Sequence, residues 1–302
     1  LAEQEWEKNY PSRRGEPKNI TDYMISENQV PIMTNSESVL QFGNNAYGKP
    51  ATALNILRET VMGRELFDFA FKEYSRRWKF KRPQPADFFR TMEDASAVDL
   101  DWFWRGWFYS TDHVDISIEN VRLFQMDTKN PDVENELRRR QANAEPRTLS
   151  QQRGESLPKR IDQYPSLRDM YNDAENNRFR VTEQDRQSYQ AFISGLTDKE
   201  RALVNAGYHF YVVDLKNVGG LVMPLIFKVE YMDGASEEIR VPVEIWRYNN
   251  FEVSKLIVTR KEAKSIVLDP NLETADADLT NNFFPRRTVP TRFQIFKQGQ
   301  QR

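Results

Sequence analysis

Asn45-Ala46-Tyr47-Gly48-Lys49-Pro50-Ala51-Thr52-Ala53-Leu54-Asn55-Ile56-Leu57-Arg58 sets a tyrosine and a glycine directly ahead of an amphipathic run. Pro50 suits the first helical position, where its missing N–H has no intrahelical partner, and Ala53, Leu54, Leu57 and Val61 then recur at helical spacing. The stretch reads as Tyr47 held on a Gly-containing turn at the mouth of a helix over residues 50–62, so the helix decides where the phenol points. Three more helices are expected downstream. One covers residues 64–78, with Leu66, Phe67, Ala70, Phe71 and Tyr74 on one face, and Gly63 separates it from the first. The next covers 85–95 with Phe88, Phe89 and Met92 inward, and the last is the short aromatic stretch over 99–109. Aromatic clusters of that size bury several hundred Å² at about 25 cal/mol per Å², so this part carries its own core.

Upstream, residues 1–10 read as the tail of a helix that the two prolines and the glycine of residues 11–17 end. The chain opens without a methionine and in mid-helix, as expected of a piece cut from a longer protein. Downstream, Val114-Asp115-Ile116-Ser117-Ile118-Glu119-Asn120-Val121 alternates apolar and polar residues as a strand does. Residues 127–165 lack an apolar period and read as a linker or draped surface segment, with Arg138-Arg139-Arg140 as a solvated charge run. Thr182 and Thr197 each precede an acid by three residues, the pattern of two capped helices, with Gly207 as the stop.

From residue 208 onward the reading is β. Runs at 210–215, 225–231, 238–246, 253–259 and 265–268 are β-branched or aromatic, Asp233-Gly234 is a hairpin signal, and Pro242 places its strand at an edge or bulge. Five short strands at this spacing suit a small immunoglobulin-like β-sandwich. The expected architecture is therefore multidomain α + β: a mainly helical part over 1–126, a charged linker with bridging helices over 127–205, and a β-sandwich over 206–302. Asp269, Asp276 and Asp278 offer oxygen ligands for a hard cation, but the segment lacks the glycine turn and ordered spacing of a calcium loop.

Across 302 residues the formal net charge is only -2, with no concentrated basic stripe, which argues against nucleic acid as a partner. No run of about 18 apolar residues suggests a membrane span, and residues 1–8 lack the basic-then-apolar order of a signal peptide. With no cysteine there is neither a disulfide framework nor thiolate chemistry, which leaves the compartment open.

Several of these stretches share their order and spacing with one family. Tyr47-x-Lys49, Ala53-Leu54-x-x-Leu57-Arg58, Phe67-x-x-Ala70-Phe71-x-x-Tyr74, Asp87-Phe88-Phe89-x-x-Met92-Glu93 and Asp99-Leu100-Asp101-Trp102-Phe103-x-x-x-Trp107 resemble the helical region of the aminopeptidase N family of zinc peptidases, the gluzincins. Their signature Tyr-x-Lys-Gly-Ala follows the zinc site. The motifs cover roughly a third of the chain, and Val267-Leu268-Asp269-Pro270 with Asn281-Asn282 looks like the end of the β domain that closes many bacterial relatives. Pro50 stands where better-known members have glycine. A larger departure is the metal: the family binds zinc with His-Glu-x-x-His and a later glutamate, and this chain has only His113 and His209, far apart in sequence. The resemblance places the ligands before Leu1, with Ala2-Glu3-Gln4-Glu5-Trp6 continuing the helix of the third.

What the resemblance implies is a zinc-dependent aminopeptidase whose metal, held outside this chain, polarises the scissile carbonyl, with the glutamate of the absent motif as general base. Tyr47 would donate its phenol to the developing oxyanion, and this chain alone would be inactive. Partners would be a peptide or protein substrate and the missing N-terminal part of the same protein, in a periplasmic or exported setting. Within the chain itself no cofactor is expected. Lys49 reads as a structural or capping group, Arg58 and Glu59 as a solvated face and an internal partner, and the methionines and tryptophans as core. The competing reading is a non-catalytic scaffold or protein-binding module that descends from such an enzyme.

Overall fold

A computed structural model describes residues 15–169 and 179–287. The helix tail expected over residues 1–10 lies outside the described residues. The chain divides into two compact units, one formed by Leu1–Leu123 with Phe210–Arg302 and the other by Phe124–His209. Helices dominate the N-terminal part and two sheets the C-terminal part.

In the first unit, a short helix α1 (Thr21–Met24) precedes helical backbone that runs from residue 42 to 61 and contains α2 (Lys49–Ile56). Two π turns, Asn44–Gly48 and Leu57–Val61, flank α2. This corrects the expected start at residue 50: Pro50 sits inside a helix already under way. Its ring lacks a donor and crowds the carbonyl four residues back, and the wider turn before it, where the Lys49 amide bonds to the Asn44 carbonyl, relieves both problems.

Helix α3 (Arg64–Trp78) starts after Gly63, whose φ of 81° favours a residue without a Cβ. Helix α4 (Pro85–Ser96) opens with proline in its first turn and with Asp87 Oδ2 accepting the Gln84 amide at 2.7 Å, and it stops at the left-handed Ala97. In α5 (Asp101–Tyr109) Phe103, Trp104, Trp107 and Phe108 are buried. Trp104 stacks on Phe89 with ring centroids 4.5 Å apart, so the aromatic stretch is core, as the sequence suggests.

Strands β1 (Ile116–Gln125), β2 (His209–Asn217) and β5 (Glu252–Thr259) form one sheet in the order β1-β2-β5. The second sheet has the order β4-β3-β6-β7, from β3 (Leu225–Tyr231), β4 (Ser236–Val241), β6 (Ala263–Leu268) and β7 (Phe283–Phe284). β3 runs antiparallel to β4 and to β6, with Phe227 opposite Ile239 and Leu268. The β3–β4 turn is the Asp233-Gly234 hairpin, with Gly234 at φ 85° and the Asp233 carboxylate holding the Ala235 amide at 3.0 Å. The strand expected through residue 246 ends instead at Val241. Pro242 cannot donate to a ladder, and Val243–Trp246 turns as a 3-10 helix. One hydrophobic core joins Leu57, Met92 and Trp107 from the helices with Val213, Phe227 and Ile266 from the sheets.

The second unit carries helices α6 (Pro131–Ala144), α7 (Leu149–Gly154), α8 (Arg160–Gln163), α9 (Glu183–Ser194) and α10 (Asp198–Val204). Thr182 and Thr197 close capping boxes with Asp185 and Glu200, as their spacing suggests. The stretch taken for an aperiodic linker over 127–165 is largely helical. Asn130 caps α6, Thr148 caps α7, and Pro131 is the only buried residue among the described residues of these three helices. Helices without a buried face leave no apolar period to detect, and the arginine run is exposed on α6. No described helix is long and apolar enough to cross a membrane.

Candidate functional site

The helix around Tyr47 has two faces. Asn45, Lys49, Thr52, Ala53 and Ile56 are buried, and these positions fall on one side of a helix. Tyr47 lies on the other side, 55% exposed, with its ring edge-on to Phe42 at 5.6 Å. Among the described residues its hydroxyl has no hydrogen-bond partner.

The buried face locks the turn that presents the phenol. Asn45 Nδ2 donates to the Val30 carbonyl at 2.7 Å and to the Tyr23 hydroxyl at 3.2 Å, tying the turn to α1 and the loop after it. Lys49 Nζ donates to the Ser110 carbonyl at 3.1 Å, at the C-terminal end of α5, where the exposed carbonyl ends of a helix favour a cation. Burial lowers the Lys49 pKa to about 8, against the opposing pull of Asp112. Lys49 is therefore a structural cap, in keeping with its sequence reading. Arg58 grips Asp68 of α3 with two bonds of 2.7 and 2.9 Å and also reaches Glu59 at 2.9 Å. Glu59 in turn accepts from Arg64 at 2.8 Å, so the second π turn is stapled to the following helix.

The result is an exposed phenol on a backbone anchored at three points. Such a group can donate to an oxyanion brought against it, with little reorganisation of its own scaffold. General-base and metal chemistry would need other groups. His113 sits in a bridge to Gly220, its amide on the Gly219 carbonyl at 3.0 Å, and His209 is the first residue of β2. Neither lies on a helix face with a second ligand, so the histidines present do not fit a zinc centre. Glu93, Asp99 and Asp101 gather their carboxylates within 4.8 Å, but around the start of α5: Glu93 accepts the Leu100 amide at 3.0 Å and Asp99 the Asp101 amide at 3.1 Å. Burial raises the Glu93 pKa.

The sequence reading singled out Tyr47 and Lys49 but gave no role to Asn45 or the Ser110 carbonyl, because a polar residue on a buried helix face is visible only once its partners are placed. It also missed a groove of about 1000 Å³ in the first unit, walled by Trp102, Arg105, Tyr109, Trp246 and Arg247. These residues come from α5 and the segment after β4.

The site thus defines a helical scaffold that presents a tyrosine to solvent beside a β part. Among known proteins, no family model matches the chain and no curated protein does.

Proposed function

We propose that this chain is the C-terminal portion of a zinc-dependent peptidase of aminopeptidase N type, in which Tyr47 stabilises the tetrahedral intermediate of peptide-bond hydrolysis. The observation that carries the reading is the contrast across one helical turn: Asn45 and Lys49 are sealed and bonded, while Tyr47 between them is exposed with an unpartnered hydroxyl. An exposed phenol on an anchored turn is open to a substrate brought against it, which a sealed one would not be. The two sheets, which share one core, are read as an immunoglobulin-like sandwich that closes the enzyme.

On this reading the chain's own contribution is a positioned hydrogen-bond donor, and metal and base come from polypeptide that precedes Leu1. The substrate is a peptide or protein, and the setting is periplasmic or exported. The test is to express the coding sequence that precedes Leu1 together with this chain and assay hydrolysis of aminoacyl amides. Chelator-sensitive activity supports the reading. A preceding sequence without His-Glu-x-x-His, or a longer protein that fails to hydrolyse any such amide, refutes it.

A further inference from the structure

Arg76-Arg77-Trp78-Lys79-Phe80-Lys81-Arg82 spans the end of α3 and the turn that leads to α4, with five cations in seven residues and no acid. The net charge of -2 over the whole chain conceals this concentration, which departs from the expectation of a chain without a basic stripe. The two arginines on α3 are engaged: Glu73 accepts from Arg76 at 2.7 Å and from Arg77 at 2.6 Å. Lys79, Lys81 and Arg82 are exposed and form no ion pair among the described residues.

The turn is built around one ring. The Lys81 amide donates to the Trp78 carbonyl at 3.0 Å, Lys79 has φ -51° and ψ 133°, and Phe80 has φ 62°, the form of a type II turn with Phe80 at its third position. That position favours glycine or asparagine, because a bulky side chain there crowds the backbone. Phe80 takes on this strain without gaining burial, since it is fully exposed. The base of the turn is fixed all the same. Trp78 Nε1 donates to Thr91 Oγ1 of α4 at 3.2 Å, Lys81 Nζ lies 5.7 Å from the centre of the Trp78 ring, and Pro83 and Pro85 restrict the exit. A strained backbone that holds an apolar ring in water on an anchored base finds its use outside the chain.

We propose that the tip over residues 79–82 docks the protein on a membrane surface that carries anionic lipid, with Phe80 entering the boundary between headgroups and acyl chains and Lys79, Lys81 and Arg82 meeting lipid phosphates. An anionic bilayer face offers what both parts of the tip need: negative charge spread in a plane, and an apolar layer directly beneath it. The cations beside the ring keep their charges among the headgroups while their stems follow it inward. A nucleic acid would meet the charges, but it binds best in a groove that tracks the strand, and Phe80 stands at the apex of a turn. Docking on a surface is distinct from spanning it, for which no described helix is long and apolar enough. The proposal is independent of the peptidase reading, and its test needs no turnover.

Flotation of the full chain with vesicles of phosphatidylcholine, alone or with about 30 mol% phosphatidylserine, reads the docking directly. The expected result is partitioning at least about tenfold stronger onto the anionic vesicles, lost in about 1 M sodium chloride, where the Debye length is about 3 Å. Lys79→Gln, Lys81→Gln and Arg82→Gln combined lower it at least about tenfold. Phe80→Gly lowers it about fivefold and raises Tm, because glycine relieves the left-handed position, whereas Phe80→Trp keeps it within about twofold. Arg138→Gln, Arg139→Gln and Arg140→Gln combined, on the exposed arginine run of α6, leave it unchanged. No enrichment on anionic vesicles, partitioning that survives salt, or an equal loss in the α6 variant overturns the proposal. Unchanged partitioning in Phe80→Gly also overturns it, as does binding of a single-stranded oligonucleotide without vesicle binding, which assigns the cations to nucleic acid. Should the triple variant at the tip fail to fold, the salt and lipid dependence of the unaltered chain and of Phe80→Gly decides.

Discussion

Lys49 Nζ donates to the Ser110 carbonyl at 3.1 Å from a side chain with no exposed surface, so a buried ammonium joins α2 to the end of the aromatic helix α5. Its pKa, about 8 when folded against 10.5 for a free lysine, makes this joint pH-dependent. A lowered lysine pKa means that between about 8 and 10.5 the unfolded chain binds more protons, so stability rises with pH across that window. The stability is lost again as pH falls through about 8.

Lys49→Met is expected to remove that rise. The difference in unfolding free energy between the unaltered chain and the variant should grow by about 3 kcal/mol from pH 7 to 10.5, from about 1.4 kcal/mol per pKa unit. Urea unfolding at three pH values measures it, and parallel curves for the two proteins would refute the assignment. Lys49→Ala should cost more than Lys49→Met at every pH, since it adds a cavity to the lost hydrogen bond.

Tyr47→Phe removes an oxygen that bonds to no described residue, so Tm should change by less than about 1 °C. Under the proposed peptidase reading, the same change in a protein that joins this chain to a zinc site should lower kcat by about 10²- to 10³-fold with KM little altered, as expected of a group that acts in the transition state. Unchanged kcat would leave the tyrosine without its proposed role.

Gly219 tests the close approach beneath the Asp115 segment. A Cβ placed there would lie 2.3 Å from the His113 carbonyl oxygen and 2.9 Å from the Asp115 amide nitrogen, both backbone atoms that cannot swing away. Gly219→Ala should therefore destabilise the chain by about 2–3 kcal/mol. Gly43 is the control: its backbone is helical, with φ -62°, and nothing lies within 4 Å of the added carbon. Gly43→Ala should be neutral or stabilise by up to about 1 kcal/mol. Equal Tm changes for the two variants would contradict this account.

A double-mutant cycle on Arg58 and Asp68 should give a coupling of about 0.5–1 kcal/mol that shrinks in high salt. The pair is bidentate but its side chains are 33% and 41% exposed, which screens it. A coupling that does not respond to salt would place the pair in a drier setting.

How much of this was legible beforehand varied by element. Helix α3 and strand β3 appear over the residues their patterns predict, because each buries one face and its period shows. Both threonine capping boxes and the Asp233-Gly234 hairpin were equally plain, since their hydrogen bonds span three or four residues. The helices over 131–163 were missed because they bury almost nothing, and β4 stops at Pro242 because proline could donate no further ladder bond. The helix around Tyr47 begins earlier than proline and glycine suggested, since a π turn accommodates Pro50 mid-helix.

Local sequence by itself determined the helix-then-strand order, the aromatic core and the caps, all of which depend on neighbours within a few positions. Only the tertiary structure decided that Lys49 would meet the Ser110 carbonyl, that Asn45 would be sealed while Tyr47 faced water, and that Asp276 would lie beside Asp115. Those relationships join residues distant in the chain. Their energies come from burial and the loss of solvent around polar groups, which no residue carries until the rest of the chain has folded around it.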